Sequence, residues 1–229
     1  MDFTFTDEQR MFRDTVYRFA KEEITPLGEE ADLKGEFNME VFKKMADMGL
    51  LGLPFPEEYG GSGADFVTCC LAGEAMGHAG VDGGHTLAWG AHTYLCGTDI
   101  MQHGTHEQKL KYLPKLASGE WIGCMGLTEP GCGSDAGALA TTAVKKGDKY
   151  ILNGSKTFIT NAPLANVFVI FATLDKAKKH KGITAFIVER DYPGISTGNP
   201  MHKMGCKCST TSEVYLEDCE VPVENCLGG

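Results

Sequence analysis

The sequence of 229 residues has no apolar run long enough to cross a membrane as a helix. Its longest strongly apolar stretch, VFVIFATL, covers only Val167–Leu174, whereas a membrane-spanning helix needs about 20 residues. The first ten residues, MDFTFTDEQR, have neither a cationic start nor an apolar run, so we expect no secretory signal there. These absences predict no membrane span and favour a cytoplasmic protein, or one of the mitochondrial matrix if the source is eukaryotic.

The sequence has fewer positively charged than negatively charged residues. Lys and Arg together number 21 against 31 Asp and Glu, which gives a formal net charge of −10. A nucleic-acid-binding protein needs basic surface to neutralise phosphates, so this balance argues against that class. The apolar fraction of 42% is ordinary for a globular protein and is enough for a core at this length.

Paired C-x-x-C motifs are also absent, although the sequence has nine cysteines. Cys69 and Cys70 are adjacent, and Cys206 and Cys208 are separated by one residue, which is the wrong spacing for a zinc or redox pair. We therefore expect reduced thiols and interpret the Cys206-Lys207-Cys208 motif as incidental.

The histidines do not indicate a metal site either. His103 and His106 are three apart, and His85 and His92 also have helical spacing, so each pair could share one face of a helix. A metal centre would need further ligands beside them. The sequence predicts no metal site.

The first half of the chain has helical periodicity and clear helix-start signals. Thr6 to Gln9 (TDEQ) and Thr105 to Gln108 (THEQ) fit capping boxes. Asn38 and Asp65 are candidate N-caps, and Phe37 and Phe42 have the spacing of a hydrophobic staple. A further helix is predicted over residues 84–97.

After Gly119 the pattern changes to strands. Asn153-Gly154 lies between two strand-like runs and predicts a hairpin turn. Further strands are predicted at residues 121–128, 167–173, 183–188 and 213–217. We therefore predict an α+β fold, with an N-terminal all-α domain over residues 1–119 and an antiparallel β-barrel or sandwich-like domain over residues 120–229.

The stretch MGLTEPGCGSD, Met125–Asp135, places two glycines directly after a predicted strand. Gly131-x-Gly133-x-x-Ala136 matches the dinucleotide fingerprint, but the residues that follow resemble a strand and not a helix. Two readings remain open. The glycines form a tight turn, or they let backbone N–H groups and the hydroxyls of Thr128 and Ser134 approach a flavin edge or a phosphate.

Several motifs in order resemble the acyl-CoA dehydrogenase family: LTEPGCGSD, YILNGSKTFITNA and KMGCKCSTTSEVYLEDCEVP. FTDEQRMFRDTVYRFAKEEITP and GLLGLPFPEEYGGSG near the N-terminus are similar to it as well. The resemblance covers essentially the whole chain. It implies a helical domain, then a β domain, and then a C-terminal helical bundle that we do not find in these 229 residues.

The resemblance also implies an FAD site. Thr128, with the backbone of Leu127, would hydrogen-bond the pyrimidine end of the flavin, and Ser134 would bind an FAD phosphate or the acyl-CoA chain. Thr160 would lie near the hydride-accepting N5. The residues implied at the cofactor are Met125, Leu127, Thr128, Gly133, Ser134, Phe158, Ile159 and Thr160. Many members have Trp in place of Phe158 and an aromatic residue in place of Met125.

The implied reaction is α,β-dehydrogenation of an acyl-CoA thioester, with electron-transfer flavoprotein as the acceptor. The family's base is a glutamate of the C-terminal domain, so we assign none here and expect the isolated chain to be inactive. We interpret Glu129 as organising the loop and Asp135 as a turn or cap acceptor. The basic run Leu174–Gly182 is either a solvated connection or a contact for CoA phosphates.

Three readings of function remain open. The chain is a fragment or partial subunit of such an enzyme, working as a homo-oligomer or with a complementing helical subunit. Alternatively, it is a non-catalytic FAD- or partner-binding subunit of a heteromeric complex. The third reading is a flavin-dependent monooxygenase or a nitroalkane oxidase-like relative.

Overall fold

The computed structural model describes residues 4–229, and its first half consists of helices. Within that range, no helix is both long and apolar enough to cross a membrane. π-helical turns at Ala20–Ile24 and Ala91–Gly97 join neighbouring helices. In the described part of the chain the α-helices are α1 Asp7–Phe19, α2 Thr25–Lys34, α3 Met39–Asp47, α4 Phe66–Ala79, α5 Gly83–Gly90, α6 Thr98–His103 and α7 His106–Ala117.

Local capping starts these helices where the sequence predicts. The Gln9 amide donates to Thr6 Oγ1 at 3.1 Å and the Gln9 side chain accepts from the Thr6 amide, so the capping box is confirmed. The second box, Thr105 with Gln108, is confirmed as well. Asn38 and Asp65 cap α3 and α4. The Phe37 and Phe42 rings lie 5.7 Å apart, as the predicted staple requires.

The second half forms one curled, seven-stranded sheet. The predicted order of helices followed by strands is confirmed, but the sheet is mixed and not wholly antiparallel, because β4 pairs in parallel with β1 and β2. The strand order is β1-β4-β2-β3-β7-β6, and β5 pairs with β4. The strands are β1 Gly123–Gly126, β2 Thr142–Lys146, β3 Lys149–Thr160, β4 Val167–Thr173, β5 Ile183–Glu189, β6 Ile195–Thr197 and β7 Thr211–Pro222.

The predicted hairpin at Asn153-Gly154 is wrong. β3 runs straight through both residues, and the chain reverses earlier, around Gly147, where φ is +65°. Gly154 instead marks a register shift against β7. It is needed there because a Cβ would lie 2.8 Å from the Thr141 backbone Cα. Close approach of β3 to the residue that precedes β2, and not a turn, explains this glycine.

The helical and β regions share an apolar cluster. Leu113 and Leu116 of α7 pack there with Val167 and Val169 of β4 and Ile187 of β5. A second cluster fills the helical region, and a third fills the interior of the sheet. The domain division at Gly119 stays a prediction, and residues 1–3 of the first predicted domain lie outside the described range.

Candidate functional site

The end of β1 and the end of β3 lie side by side and form the candidate site. The Thr157 amide donates to the Thr128 carbonyl at 2.9 Å, which fixes the loop after β1 against β3. Gly126 makes this approach possible, because a Cβ there would lie 2.6 Å from Ile170 Cδ1 and 3.2 Å from Lys156 Cγ. The two predicted segments, residues 125–134 and 158–160, are therefore neighbours in space.

The glycine loop is a tight turn with an open outer face. Glu129 and Cys132 exchange backbone hydrogen bonds of 2.9 and 3.0 Å across Pro130 and Gly131. A Cβ added at Gly131 or Gly133 would meet nothing within 4 Å among the described residues. The loop is therefore a turn, and the space outside Gly131 and Gly133 is open; that a flavin or a phosphate approaches it stays a prediction.

Buried beneath this loop, Glu129 forms the polar network that holds it. Its carboxylate accepts from Lys156 Nζ at 2.7 Å, from the Ala140 amide at 2.6 Å, and from the Thr141 amide and hydroxyl at 3.0 and 2.5 Å. Burial raises the pKa of Glu129, but these donors outweigh that cost and hold its pKa below the usual value. Glu129 therefore organises the loop, as its sequence position predicts.

Asp135 differs in detail from its predicted role. Its backbone carbonyl accepts from the Ala138 amide at 3.0 Å, and the Cys132 thiol lies 3.0 Å from the same oxygen. Its side chain makes no capping hydrogen bond within the described part of the chain. The main chain of Asp135, and not its carboxylate, accepts the turn hydrogen bond.

At the end of β3 the backbone is strained. Phe158 has φ of +58° and Asn161 has φ of +69°, a region that non-glycine residues adopt rarely. The strain coincides with a register shift against β7 between Lys156 and Ile159. Phe158 is 68% exposed as a result, whereas Ile159 is buried. Strain of this kind collects at functional sites, because the surrounding structure must maintain it.

Neighbouring groups maintain the Asn161 conformation. The Asn161 side chain donates to the Ala88 carbonyl at 2.8 Å and to the Gly123 carbonyl at 3.2 Å, and its amide donates to the Thr210 carbonyl. Neither Asn161 nor Lys156 is among the site residues that the sequence predicts. The sequence does carry a signal for Lys156. It is a lysine within a strand, at a position where the alternation of buried and exposed side chains places it on the buried face.

The predicted site residues fall in two adjoining groups. Met125, Leu127, Thr128, Gly133 and Ser134 lie along β1 and its loop, and Phe158, Ile159 and Thr160 lie along the end of β3. Among residues 4–229, the hydroxyls of Thr128, Ser134 and Thr160 make no hydrogen bond to protein. Free hydroxyl donors, accessible backbone and an exposed aromatic ring suit a planar heteroaromatic ligand such as a flavin.

A basic cavity adjoins the glycine loop. It has a volume of about 460 Å³ and lies between residues 135–140 and the connection from β4 to β5. Lys176 and Lys179 supply its positive charge and belong to the basic run noted in the sequence, while Asp135 lines its other side. The cavity could hold a phosphate group.

The helical region followed by a curled mixed sheet matches the fold of solved acyl-CoA dehydrogenases. Comparison with known families agrees. The model "Acyl-CoA dehydrogenase, N-terminal domain" matches residues 6–120, and "Acyl-CoA dehydrogenase, middle domain" matches residues 124–219. The chain belongs to the acyl-CoA dehydrogenase family.

Individual relatives are similar over the whole chain. A short-chain specific acyl-CoA dehydrogenase of Clostridium acetobutylicum is 48% identical over 228 residues. The solved butyryl-CoA dehydrogenase from Megasphaera elsdenii is 40% identical, with a TM-score of 0.92 over 100% of this chain and 60% of that one. A Bacillus anthracis acyl-CoA dehydrogenase solved with FAD is 41% identical, with a TM-score of 0.87 over 98% of this chain and 38% of that one. The match covers all of this chain but only 60% of the length of the Clostridium relative.

Proposed function

We propose that this chain supplies the FAD-binding part of an enzyme that dehydrogenates an acyl-CoA thioester between its α and β carbons. One observation carries the proposal. The hydrogen bond from the Thr157 amide to the Thr128 carbonyl, 2.9 Å long, joins two segments that hold unpaired donors and an exposed aromatic side chain. Membership of the acyl-CoA dehydrogenase family supports the reaction class.

Each residue of the two segments has a role in this proposal. Thr128 and the Leu127 backbone would hold the pyrimidine end of the flavin, and Met125 would border the ring. Gly133 keeps the loop backbone open, so that Ser134 reaches a phosphate or the acyl-CoA chain. Phe158 offers its exposed face, and the Thr160 hydroxyl lies along the edge that Ile159 anchors. Bound FAD supplies the hydride acceptor.

Donors fixed in place before the reaction stabilise negative charge without a reorganisation cost. The Glu129–Lys156 pair fixes the loop that carries Thr128, and the Asn161 hydrogen bonds fix the segment that carries Thr160. The protein therefore holds its donors rigid from beneath and leaves their outer sides free for a ligand.

A catalytic base is not provided by the carboxylates at this site. Glu129 is committed to Lys156, Ala140 and Thr141, so protonating it would break the loop network. Asp135 is exposed on the loop, and its side chain makes no capping hydrogen bond among the described residues. We infer that the base belongs to residues other than these 229, in the same polypeptide or in a partner subunit.

The remaining partners belong to the same proposal. The basic cavity beside the loop suits the phosphates of CoA, and the exposed Phe158 suits contact with an electron-transfer flavoprotein. A cytoplasmic or mitochondrial-matrix location agrees with nine cysteines that are all free thiols in the structure. A homo-oligomer or a complementing helical subunit would complete the site.

The first experiment is the visible absorption spectrum of the purified 229-residue chain, followed by titration with FAD. We expect a flavin spectrum near one FAD per chain, weakened in Thr128→Val and unchanged in the control Thr15→Val on α1, which lies outside the site. The chain alone should not turn over acyl-CoA. A protein that stays colourless with added FAD, or steady turnover by this chain alone, would contradict the proposal.

A further inference from the structure

Three groups with metal-ligating chemistry meet outside the candidate flavin site. Asp82 precedes α5, His85 lies in its first turn, and Cys208 comes from the loop before β7. His85 Nδ1 lies 2.8 Å from Asp82 Oδ2, and Cys208 Sγ lies 2.7 Å from Asp82 Oδ1 and 3.5 Å from His85 Nδ1. All three ligand atoms lie within 4.8 Å of one another.

The local structure brings these side chains together for identifiable reasons. Asp82 is the N-cap of α5 and accepts from the His85 amide at 2.8 Å, which places both residues on one turn. Gly84 lets the opposite loop approach, since any Cβ there would overlap Cys208 Sγ. The Lys207 amide donates to Asp32 Oδ1 at 2.8 Å and so ties this loop to the end of α2.

The surroundings of His85 suit metal binding through Nδ1. Its Nε2 lies 3.1 Å from the Asn38 amide nitrogen and 3.2 Å from the Asn38 carbonyl, so it accepts from the amide in the Nδ1–H tautomer and donates to the carbonyl in the Nε2–H tautomer. The Nε2–H tautomer leaves the Nδ1 lone pair aimed at Asp82 and Cys208. A ligating histidine commonly donates its other N–H to a carbonyl in this way, because the hydrogen bond fixes the tautomer and the ring orientation.

The cluster is buried. His85 and Cys208 have no exposed surface, and the Asp82 side chain is 5% exposed. In the Nδ1–H tautomer the neutral ring donates to Asp82 Oδ2 across 2.8 Å. In the Nε2–H tautomer a histidine lone pair and a carboxylate oxygen face each other at that distance, and a metal ion between them removes their repulsion.

We propose that Asp82, His85 and Cys208 form a zinc-binding site with three protein ligands. Carboxylate, imidazole and thiolate are the three ligand types that Zn²⁺ takes in proteins. Binding forms the Zn–S, Zn–N and Zn–O bonds and releases the thiol proton of Cys208 to solvent. The proposal does not depend on the function proposed above.

The apo protein keeps that proton on sulfur. Burial and the neighbouring Asp82 carboxylate raise the pKa of the Cys208 thiol well above its usual value. A bound metal reverses this preference, because a coordinating thiol is deprotonated outright. Deprotonation of the Cys208 thiol therefore distinguishes the metal-bound site from the metal-free site spectroscopically.

Metal binding would also join two parts of the molecule. It links the start of α5 in the helical region to the loop that leads into β7. In the same loop, the Thr210 carbonyl accepts a hydrogen bond from the Asn161 backbone amide, beside the strained end of β3. Occupancy of the site should consequently raise the thermal stability of the whole chain.

The test uses Co²⁺ as a spectroscopic probe for Zn²⁺, added to the reduced, metal-free 229-residue chain. We expect one equivalent of Co²⁺ to give visible d–d bands and a thiolate-to-cobalt absorption band, both abolished by Zn²⁺. Cys208→Ser should lose the thiolate band and weaken Co²⁺ affinity by more than about 100-fold, since even loss of an outer partner costs 10–100-fold.

Cys206→Ser is the matched control, since Cys206 lies two residues away in the same loop but outside the cluster. It should keep both bands. The serine in Cys208→Ser can still donate to Asp82, so this variant should fold. Asp82→Asn keeps the helix cap and serves as a second variant if it does not.

Zn²⁺ should raise the melting temperature of the parent chain and of Cys206→Ser, but not that of Cys208→Ser or Asp82→Asn. Absence of the thiolate band in the folded parent chain would overturn the proposal and leave the cluster as a hydrogen-bonded contact between His85 Nδ1 and Asp82. Persistence of the band in folded Cys208→Ser, or its loss in Cys206→Ser, would overturn it equally.

Discussion

His92 is a buried, neutral histidine with both ring nitrogens in use. Its Nδ1 accepts from the Gly123 amide at 3.0 Å, and its Nε2 donates to the Leu116 carbonyl at 3.0 Å. It therefore connects the end of α7 to the start of β1. Burial lowers the pKa of His92 from 6.5 to about 4, although the hydrogen bond to Leu116 opposes the shift.

This histidine predicts a pH dependence of stability. Between pH 6.5 and about 4, His92 is protonated in the unfolded chain but stays neutral in the folded chain. The free energy of unfolding therefore falls as the pH falls through this window. A shift of this size corresponds to a loss of about 3 kcal/mol. Urea unfolding at a series of pH values measures it.

Glu129 acts in the same direction, because its pKa is also lowered by folding, but its contribution is lost only as the pH falls below its unfolded value of about 4.5. His92→Gln should be less stable at neutral pH and should have a flatter profile between pH 6.5 and about 4. The exposed His103→Gln is the control and should keep the parent slope. An unchanged slope in His92→Gln would contradict the assignment.

At the scale of the elements, the sequence predicts best what local chemistry decides. The Thr6 and Thr105 capping boxes involve residues three apart, and they form as predicted. β4 likewise spans Val167–Thr173, as its apolar run indicates. Asn153-Gly154 does not form a hairpin turn because the chain reverses at Gly147. Gly154 is needed instead because it packs closely against Thr141, the residue before β2.

Site prediction has the same limit. The family resemblance identifies the segments around Thr128 and Thr160, and the structure makes them neighbours. The Lys156–Glu129 pair and the cluster of Asp82, His85 and Cys208 join residues 27 and 126 positions apart. Pairings of this separation depend on the fold as a whole, which a single sequence does not reveal through periodicity or spacing.

Gly154 gives a prediction for β3. In Gly154→Ala, φ of +151° is strained for alanine, and the new methyl lies 2.5 Å from Thr141 Oγ1 and 2.8 Å from Thr141 Cα. We expect a loss of about 2–5 kcal/mol from strain and overpacking together. Chemical unfolding measures it.

Gly205→Ala is the matched substitution. A Cβ there meets nothing within 4 Å among residues 4–229, so the change should alter stability by less than about 1 kcal/mol. If Gly154→Ala were as stable as Gly205→Ala, the close approach of β3 to Thr141 would not exist in solution.

For the molecule as a whole, the apolar cluster between helices and sheet decides how the chain unfolds. Tyr112 of α7 adds polar contacts across the same boundary, donating to Glu189 at 2.7 Å and accepting from Asn225 at 2.9 Å. Gln108 donates to the carbonyls of Glu224 and Cys226. Neither region can unfold without exposing apolar surface and polar groups of the other.

We therefore expect the helical and β regions to unfold in one transition, and Leu116→Ala to weaken both. Leu116 is fully buried in the shared cluster, and its Cδ2 would lie 3.1 Å from a Cβ at Gly123 of β1. Truncating it removes contacts on both sides of the boundary and should cost about 2–5 kcal/mol. Native-state hydrogen exchange of amides in α4 and β4, far from Leu116 in sequence, measures the two regions separately.

Equal loss of protection in α4 and β4 is the outcome that a shared core requires, because the slowest amides of both regions would then exchange through the same global opening. Leu110→Ala, on the exposed side of the same helix at 49% exposure, should leave both sets of amides almost unchanged. Loss confined to one region would mean that the boundary cluster does not couple them. The strained edge of β3, which is held from the helical side by Ala88 through Asn161, would then lose that support whenever the helices opened alone.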